Sequence, residues 1–354
     1  MNLHPVFFKN DKVKNGVHPY IIAEIGVNHE GNIDTAKHLI ESAARGGAHA
    51  AKFQTYKADK IASINSPYYW NLEKEKTKSQ FELFKKYDNF NPKDYAELYK
   101  HCLKNNIDFL TTPFDIDCLE FLDPLLNFYK IASADITNIP LLRKVAMKKK
   151  PIVISTGASN KEEISFVVDY LRKHGCPDIS LLHCVLNYPT PRKNANLNMI
   201  KYLKNNFNNI AIGYSDHTLP DKEMSVLQLS FIFGAQIIEK HFTLDKSLLG
   251  NDHYHAMDER DLKIFISKIN SINELSGKVK KIVLKSEELA RTNARRSIVI
   301  RKELKKGSII KEKDIIPKRP GSGISPIHWN SIIGRKIKQD LKKDHILKFD
   351  NLID

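Results

Sequence analysis

Two segments, GYSDHT at residues 213–218 and IIEKHFTLD at residues 237–245, decide the fold of this chain. In each segment an apolar run, which begins just upstream, ends abruptly in polar and ionisable residues. A buried strand shows this pattern where it ends at a functional rim. His217 and His241 lie at the two strand ends. If these strands are neighbours in a parallel barrel, both imidazoles face one mouth and can bind one divalent metal. The alternative is that each histidine only caps its strand with a hydrogen bond.

Six segments upstream show the same pattern of an apolar run followed by polar residues, and helix-like segments separate them. The polar residues at these six predicted strand ends are Glu24, Lys52, Thr112, Lys130, Ser155 and His183. Eight strand–helix units with polar residues always at the carboxyl end of the strand predict a (β/α)8 TIM barrel, whose βα loops build the site. A doubly wound open sheet is the alternative, but it does not naturally place all eight polar ends at one rim.

The connections divide the chain. Residues 56–91 are too long for an ordinary loop and are predicted to hold some helix and part of a lid. A helical pattern spans residues 258–290, and beyond it short β-branched runs alternate with turn signals such as KKGS and RPGSG. We predict a barrel at residues 1–275, a linker at 276–292 and a small β-rich domain at 293–354. Such a domain has little core of its own, so it is expected to lean on the barrel or on a second subunit.

The composition is that of an ordinary globular protein. Of the 354 residues, 42% are hydrophobic and 27% are charged, so disorder is not the default. The chain has no long apolar run and no signal-peptide core, which predicts a cytoplasmic protein with no membrane partner. The net charge of +15 comes largely from dispersed lysines without interleaved aromatics, so no nucleic-acid partner is expected. Four scattered cysteines without a CxxC pair indicate reduced thiols.

The predicted rim suggests chemistry on a small anion. The ammonium groups of Lys52 and Lys130, with several hydroxyls, would bind phosphate or carboxylate oxygens. A metal on two histidines would polarise a carbonyl, and Glu24 and Asp135 can move protons. The residues alone therefore predict metal-assisted chemistry on a phosphorylated or carboxylated small molecule. Two alternatives stay open: Glu24 pairs structurally with one of the lysines, or Lys130 forms a Schiff base as aldolases do.

Nine short motifs, in one order along the chain, carry a resemblance to a known family. They are AEIGVNHEG, KFQT, TTPFD, KIASAD, STG, YPTP, GYSDHT, EKHFTLD and RPGSGISP. The series resembles the sialic acid (nonulosonic acid) synthases, N-acetylneuraminate synthase among them, and the C-terminal module is similar to the SAF domain, an antifreeze-like β-clip fold. The resemblance implies a transferase that condenses phosphoenolpyruvate with N-acetylmannosamine or a related N-acyl hexose and releases phosphate. A divalent metal, Mn²⁺ or Mg²⁺, is the implied cofactor. The alternative substrate is a diacetamido-trideoxyhexose, as for legionaminic- or pseudaminic-acid synthases.

The resemblance also implies roles for single residues. His217 and His241 hold the metal, and Glu24 and Asp135 serve the proton and water steps. Phosphoenolpyruvate is bound by Lys52, Thr112, Lys130, Ser133, Ser155 and Ser215. The sugar is bound by Gln54, Tyr188 and Asp252. Arg319, in KRPGSG, would grip the N-acyl group in the barrel of a neighbouring subunit, so a domain-swapped homodimer is expected.

The chain departs from the family pattern around the sugar pocket. ASAD stands where relatives often read GSGE, which supplies the shorter acid Asp135. Leu186, with Asn187 beside it, stands where an Asn is common, and GNDHYHAMD replaces the commoner PDHKAS and adds His253 and His255. The aldose is therefore left open. Two other classes also stay open: a Schiff-base aldolase, insensitive to EDTA, and a carbohydrate- or ice-binding module on an inert barrel.

Overall fold

The computed structural model describes residues 13, 15–176, 178–250 and 252–353. Its contacts divide the chain into two compact units, Met1–Ser276 and Gly277–Asp354. Within the described ranges, no helix combines the length and the apolar character that crossing a membrane requires. The four cysteines are all free and buried, in agreement with the reduced thiols expected from their spacing.

Eight parallel strands form the sheet of the first unit. In chain order they are β1 (Tyr20–Gly26), β2 (Ala50–Thr55), β3 (Asp108–Pro113), β4 (Tyr129–Ile131), β5 (Ile152–Ser155), β6 (Ile179–Cys184), β7 (Ala211–Asp216) and β8 (Ile237–His241). Their spatial order is β3-β2-β1-β8-β7-β6-β5-β4, and the two ends of this order, β3 and β4, lie side by side. The strands therefore surround a nearly closed barrel, which confirms the predicted (β/α)8 fold.

At least one helix follows every strand of the barrel. The helices are α1 (Ile33–Gly46), α2 (Ala58–Ile61), α3 (Gln80–Tyr87), α4 (Pro92–Lys104), α5 (Ile116–Leu122), α6 (Ile139–Met147), α7 (Lys161–Lys173), α8 (Asn198–Asn206), α9 (Ser225–Ile232) and α10 (Glu259–Ser276). The strands face the barrel interior on one side and the helices on the other, so both of their faces are covered. Every residue of β1, β7 and β8 is buried for this reason.

Local signals in the sequence set the helix ends. The side chain of Asn32 accepts hydrogen bonds from the backbone N–H groups of Asp34 and Thr35, which caps the start of α1. At the other end Gly47 adopts φ of 95°, a left-handed conformation that glycine tolerates and that ends the helix. Helix α10 stops at Ser276, because Gly277 follows it with φ of 60°. The helical stretch predicted over residues 258–290 is therefore interrupted at residues 277–284, and helical structure returns at Lys285.

The register of the strands brings polar residues to one level at the carboxyl end of the barrel. Glu24 of β1 is paired with Lys52 of β2 on one side and with His241 of β8 on the other. Gln54 is similarly paired with Thr112 across β2 and β3. Side chains at equal height on neighbouring strands meet at the barrel mouth, so the fold itself assembles the site.

The second unit is small and β-rich. Its elements are α11 (Glu288–Ala294), β9 (Ser297–Ile300), β10 (Ile315–Lys318), α12 (Trp329–Ile332), β11 (Lys336–Ile337) and β12 (Leu352–Ile353). Strands β9 and β10 pair antiparallel, as do β11 and β12. The core consists of isoleucines and leucines such as Ile298, Ile300 and Leu347. The start of this unit, residues 277–296, is exposed throughout, so it contributes nothing to that core.

Candidate active site

The carboxyl ends of the eight strands surround a cavity of about 350 Å³. Among the residues that line it are all the predicted site residues of the barrel: Glu24, Lys52, Gln54, Thr112, Lys130, Ser133, Asp135, Ser155, Tyr188, Ser215, His217, His241 and Asp252. Arg319 belongs to the second unit, where its side chain is exposed, and its contact with a sugar stays a prediction. The barrel rim thus gathers cations, carboxyls, hydroxyls and imidazoles around one space.

Two lysines and two glutamates form a buried cluster at the floor of the cavity. The Nζ of Lys52 lies 2.6 Å from Oε2 of Glu24 and 3.6 Å from Oε2 of Glu239. The Nζ of Lys130 lies 3.4 Å from Oε1 of Glu239 and donates a hydrogen bond of 2.8 Å to Oγ of Ser155. Buried charges must be paired, so each ammonium group has a carboxylate beside it. The pairing of Glu24 with Lys52 was one of the alternatives left open by the sequence.

Amide and hydroxyl groups complete this cluster. The Nε2 of Gln54 donates to Oε1 of Glu24 at 2.9 Å, and Oγ of Ser215 donates to Oε1 of Glu239 at 2.9 Å. Lys52 reaches Oγ1 of Thr112 at 3.3 Å. The same donors line the cavity and suit an incoming anion, since ammonium and hydroxyl groups are good partners for phosphate and carboxylate oxygens.

The pKa values of the four members of the cluster are shifted in different directions. Burial raises the pKa of Glu24 in spite of the adjacent Lys52. Burial lowers the pKa of Lys130 although Glu239 opposes that change. For Glu239, burial alone would raise the pKa, but the ammonium groups of Lys130 and Lys52 bring it down to about 2. Burial would also lower the pKa of Lys52, yet the carboxylates of Glu239 and Glu24 raise it. Glu24 and Lys130 are therefore the members closest to exchanging a proton near neutral pH.

Glu239 was missed by the sequence analysis, although it holds both lysines. The signal was present in EKH: residues two apart on a strand point to the same side. Glu239 and His241 are such a pair on β8, and both line the cavity. His183, in contrast, was predicted at a strand end but takes a structural position. Its Nε2 is hydrogen-bonded to the carbonyl of Ala195 at 2.8 Å, and its ring stacks on Tyr214. It is not among the described residues that line the cavity.

His217 and His241 lie beside each other with ring centroids 5.5 Å apart. The Nδ1 of His217 lies 2.9 Å from the carbonyl oxygen of Val185, to which it donates a hydrogen bond. This bond leaves the lone pair of Nε2 free, which is how a metal-binding histidine is usually held. His241, Asp252 and His255 each offer one ligand atom, and these atoms lie within 4.8 Å of one another. The rim therefore contains a possible His/Asp metal site.

Two observations fit this site to a cation. The Nδ1 of His241 is buried and has no hydrogen-bond partner among the described residues, and it lies 3.7 Å from Oδ2 of Asp252. Burial, followed by the neighbouring His255 and His217, holds the pKa of His241 well below its ordinary value. The imidazole is therefore neutral at physiological pH, and a neutral imidazole is the form that binds metals.

The outer part of the cavity is aromatic. Tyr69, Trp70 and Phe84, from the long connection between β2 and α4, line it, and this connection contains the short helices that the sequence predicted. Tyr188 lies over His217 with ring centroids 4.1 Å apart. Leu186 also faces the cavity, so an apolar group occupies part of the proposed sugar pocket.

Asp135 is another of the residues that line the cavity. Burial raises the pKa of its carboxyl in spite of a hydrogen bond donated by Nδ2 of Asn138 at 3.0 Å. His253 also lines the cavity, and both of its ring nitrogens lie near polar partners: its Nδ1 lies 2.8 Å from Oγ1 of Thr243 and its Nε2 lies 3.5 Å from Oε1 of Glu30. His255, the other additional histidine, is not among the described residues that line the cavity, but its ring centroid lies 4.9 Å from that of His241.

Comparison with known proteins finds similar families, sequences and structures over most of the chain. Residues 39–281 match the NeuB family, and residues 295–353 match the SAF domain. The chain is 38% identical to an N,N'-diacetyllegionaminic acid synthase of Campylobacter jejuni, over 93% of this chain and 98% of that one. It is 33% identical to an N-acetylneuraminate-9-phosphate synthase of Drosophila melanogaster, over 94% and 96% of the two chains. A crystal structure of an N-acetylneuraminic acid synthetase from Leptospira borgpetersenii, bound to citrate, superposes with a TM-score of 0.68 and 33% identity, over 77% of this chain and 90% of that one.

Proposed function

Because this chain belongs to the NeuB family and carries a SAF domain, we propose that it condenses phosphoenolpyruvate with an N-acylated aldose. The products would be a nonulosonic acid and phosphate. The observation that supports this most directly is the combination, in one cavity, of the two lysines of the floor with the histidines of the rim. An anion-binding floor beside a possible cation site suits a reaction between a phosphorylated enol and a carbonyl compound.

The floor would bind phosphoenolpyruvate. Lys52 and Lys130 supply two ammonium groups, and Thr112 and Ser155 supply hydroxyls that already contact those lysines. These donors are fixed by the surrounding barrel before the anion arrives, so little reorganisation is needed when charge develops on the leaving phosphate. Ser133 and Ser215 line the same part of the cavity and would add further hydroxyl donors.

The rim would hold the cofactor, a divalent cation such as Mn²⁺ or Mg²⁺. His217 and His241 are the proposed ligands, and Asp252 lies beside them. When bound there, the cation would supply Lewis acidity that polarises the carbonyl of the open-chain aldose. Gln54 and Tyr188, which line the cavity near this site, would orient the sugar.

Two carboxyl groups would manage the protons. C3 of phosphoenolpyruvate attacks the aldose carbonyl carbon, and the carbonyl oxygen takes up a proton and becomes a hydroxyl. Water adds to C2 and gives up a proton. The C2–phosphate C–O bond then breaks as the proton of the C2 hydroxyl passes to the departing phosphate and C2 becomes a keto group. Glu24 has a raised pKa, so it can hold a proton next to the floor. The pKa of Asp135 is raised as well, which favours its acting as a base toward the water that adds to C2.

For the aldose we propose a 2,4-diacetamido-2,4,6-trideoxyhexose, with N-acetylmannosamine as the second candidate. The aromatic outer part of the cavity and Leu186 suit a methyl group and acetyl groups better than a charged substituent. Of the described lining residues away from the floor, the only lysine is Lys60, which disfavours a 6-phosphate. The 38% identity to the diacetyllegionaminic acid synthase points the same way.

Phosphate release is the test. The protein would be incubated with phosphoenolpyruvate, Mn²⁺ and one aldose at a time: the diacetamido-trideoxyhexose, N-acetylmannosamine or N-acetylmannosamine 6-phosphate. We expect the highest kcat/KM with the first, loss of turnover with EDTA, and no trapping by borohydride in the presence of a keto acid. Borohydride trapping at Lys130 with full activity in EDTA would instead establish a Schiff-base aldolase.

We also propose that the protein works as a domain-swapped homodimer in which Arg319 contacts the sugar of the partner's barrel. The exposed segment at residues 277–296 carries apolar side chains, among them Val279, Leu284 and Leu289, that are open to solvent in a single chain. In the proposed dimer the partner subunit would cover these side chains, since apolar groups that form a contiguous exposed patch mark contact surfaces. The cytoplasmic location stays a prediction.

A further inference from the structure

His255 is a buried imidazole that the proposed reaction does not yet use. Its side chain is 0% exposed, and neither Nδ1 nor Nε2 has a hydrogen-bond partner among the described residues. An imidazole always carries at least one N–H group, and a buried polar group without a partner costs free energy. A chain that keeps such a group in place has usually reserved it for something that binds there.

The surroundings of His255 indicate that a metal ion would bind there. Its ring centroid lies 4.9 Å from that of His241, and one ligand atom each of His241, Asp252 and His255 lie within 4.8 Å of one another. Ligand atoms that share a metal at about 2.1 Å are about 3–4 Å apart. A small rotation of the side chains would therefore bring the three atoms onto one ion. The unpartnered Nδ1 of His241 lies in the same group.

A purely structural role does not account for His255. The neighbouring His253 shows what such a role looks like, since both of its nitrogens lie near polar partners, Thr243 and Glu30. His255 is surrounded by the rings of Tyr188, Tyr254 and His241. Packing of this kind would be served at least as well by an apolar side chain, which would leave no nitrogen unpartnered.

We propose that His255 is a protein ligand of the divalent cation, together with His241 and Asp252. This inference builds on the proposed function, because the cation it describes is the one that serves the same cavity. It adds a third imidazole to His217 and His241, the pair of ligands that the family resemblance implies. Imidazole nitrogen suits first-row transition-metal ions, with Mn²⁺ the weakest of them, better than it suits Mg²⁺, which prefers oxygen ligands. The chain is therefore built to prefer a transition-metal ion to Mg²⁺.

Metal binding by the metal-free protein, without substrates, tests this. Mn²⁺ would be titrated into wild type, His255→Ala and the matched control His253→Ala, with free Mn²⁺ followed by its EPR signal. Loss of an outer-shell partner typically weakens metal affinity about 10- to 100-fold, so losing a ligand should weaken Mn²⁺ binding by at least about tenfold. We expect the control to bind Mn²⁺ as wild type does. Mg²⁺ competition should show a smaller loss for Mg²⁺ than for Mn²⁺.

His255→Gln serves if the alanine variant does not fold. Glutamine keeps much of the size of histidine and offers an amide oxygen. The metal preference of this variant should therefore shift from Mn²⁺ toward Mg²⁺. The visible spectrum of the Co²⁺-loaded protein should also change in both His255 variants and stay unchanged in His253→Ala. Wild-type Mn²⁺ affinity and an unaltered Co²⁺ spectrum in folded His255 variants would overturn the inference. Metal binding through His255 without phosphate release from any aldose would instead overturn only the proposed function.

Discussion

At the residue scale, the chemistry depends on how Glu239 divides its charge between two lysines. Its carboxylate lies 3.4 Å from Lys130 and 3.6 Å from Lys52. Lys52 has a second carboxylate in Glu24, at 2.6 Å, whereas Lys130 depends chiefly on Glu239 and has a pKa already lowered by burial. Lys130 is thus the cation whose charge is most easily lost, and Glu239 is the group that preserves it.

Glu239→Gln should therefore change the pH dependence of the reaction. The carboxylate raises the pKa of Lys130 against the effect of burial, so its removal lowers that pKa further. The ammonium form is then lost at a lower pH, and the alkaline limb of kcat/KM for phosphoenolpyruvate should move to lower pH, because kcat/KM reports ionisations of the free enzyme. Steady-state kinetics over a range of pH would measure the shift.

Glu239→Asp is the control for this experiment. It keeps the negative charge on β8, so its alkaline limb should stay closer to that of wild type than the limb of Glu239→Gln. An alkaline limb in Glu239→Gln that coincides with wild type would show that the charge of Lys130 does not govern binding of phosphoenolpyruvate.

The residues that the sequence made predictable are those at strand ends. Lys52, Lys130 and His241 each follow or end an apolar run, so their position at the rim could be predicted from pattern alone. Glu239 could have been found from its two-residue spacing to His241. His255 could not, because it lies in a loop beyond β8 and its nearness to His241 depends on how residues 242–250 and 252–257 are placed. This placement is held by hydrogen bonds such as that from Met257 N–H to the carbonyl of His241 at 2.8 Å.

At the element scale, β7 and β8 act as a unit. The cavity side of β8 carries residues of the site, and its other side carries a lysine that is paired with an aspartate of β7. Glu239 and His241 point into the cavity, whereas Lys240, between them, points to the other side of the strand. There its Nζ lies 2.6 Å from Oδ2 of Asp216 on β7, and both side chains are 1% exposed. Asp216 and Lys240 are also register partners. The ion pair therefore fixes the relative height of the two strands, and with it the positions of His217 and His241.

Lys240→Met should destabilise the barrel strongly. It leaves the carboxylate of Asp216 buried without its cation, and breaking a buried ion pair in this way costs about 3–5 kcal/mol. The double variant Asp216→Asn, Lys240→Met should recover much of that loss, since it removes both charges. Urea unfolding at neutral pH would measure the free energies of unfolding. Equal stability of the single and double variants would contradict the pairing.

The elements themselves could largely be predicted, because each strand is a compact apolar run and each helix has its own boundary signals. The predicted strand at residues 20–26 coincides with β1. The structure departs from the predicted helix at residues 277–284. The charged and apolar residues there continue a helix-like composition, and the helix ends where Gly277 adopts a positive φ. Glycine permits a positive φ but does not require it, so the sequence alone did not decide between a helix end and a tolerated glycine.

At the scale of the whole molecule, the role of the small second unit has to be explained. Its core consists of eleven buried isoleucines and leucines among the described residues, and small domains gain little stability by themselves. Arg319 is exposed on this unit, and an exposed guanidinium can reach a ligand bound to another subunit. A swapped dimer would give both features a function, since each active site would need residues from two chains.

Mixing two inactive variants tests the swap. In His241→Ala the barrel loses a proposed metal ligand, and in Arg319→Ala the second unit loses its proposed sugar contact. If each site combines one subunit's barrel with the other's second unit, a mixed dimer has one site with both defects and one site with neither. Random pairing of equal amounts would then restore about a quarter of the wild-type sites. Activity would be compared with that of each variant alone, after the subunits are exchanged and mixed dimers are verified by differently tagged chains. Mixed dimers that form but recover no activity would mean that each site is built from a single chain, because in that arrangement every site still carries one of the two defects.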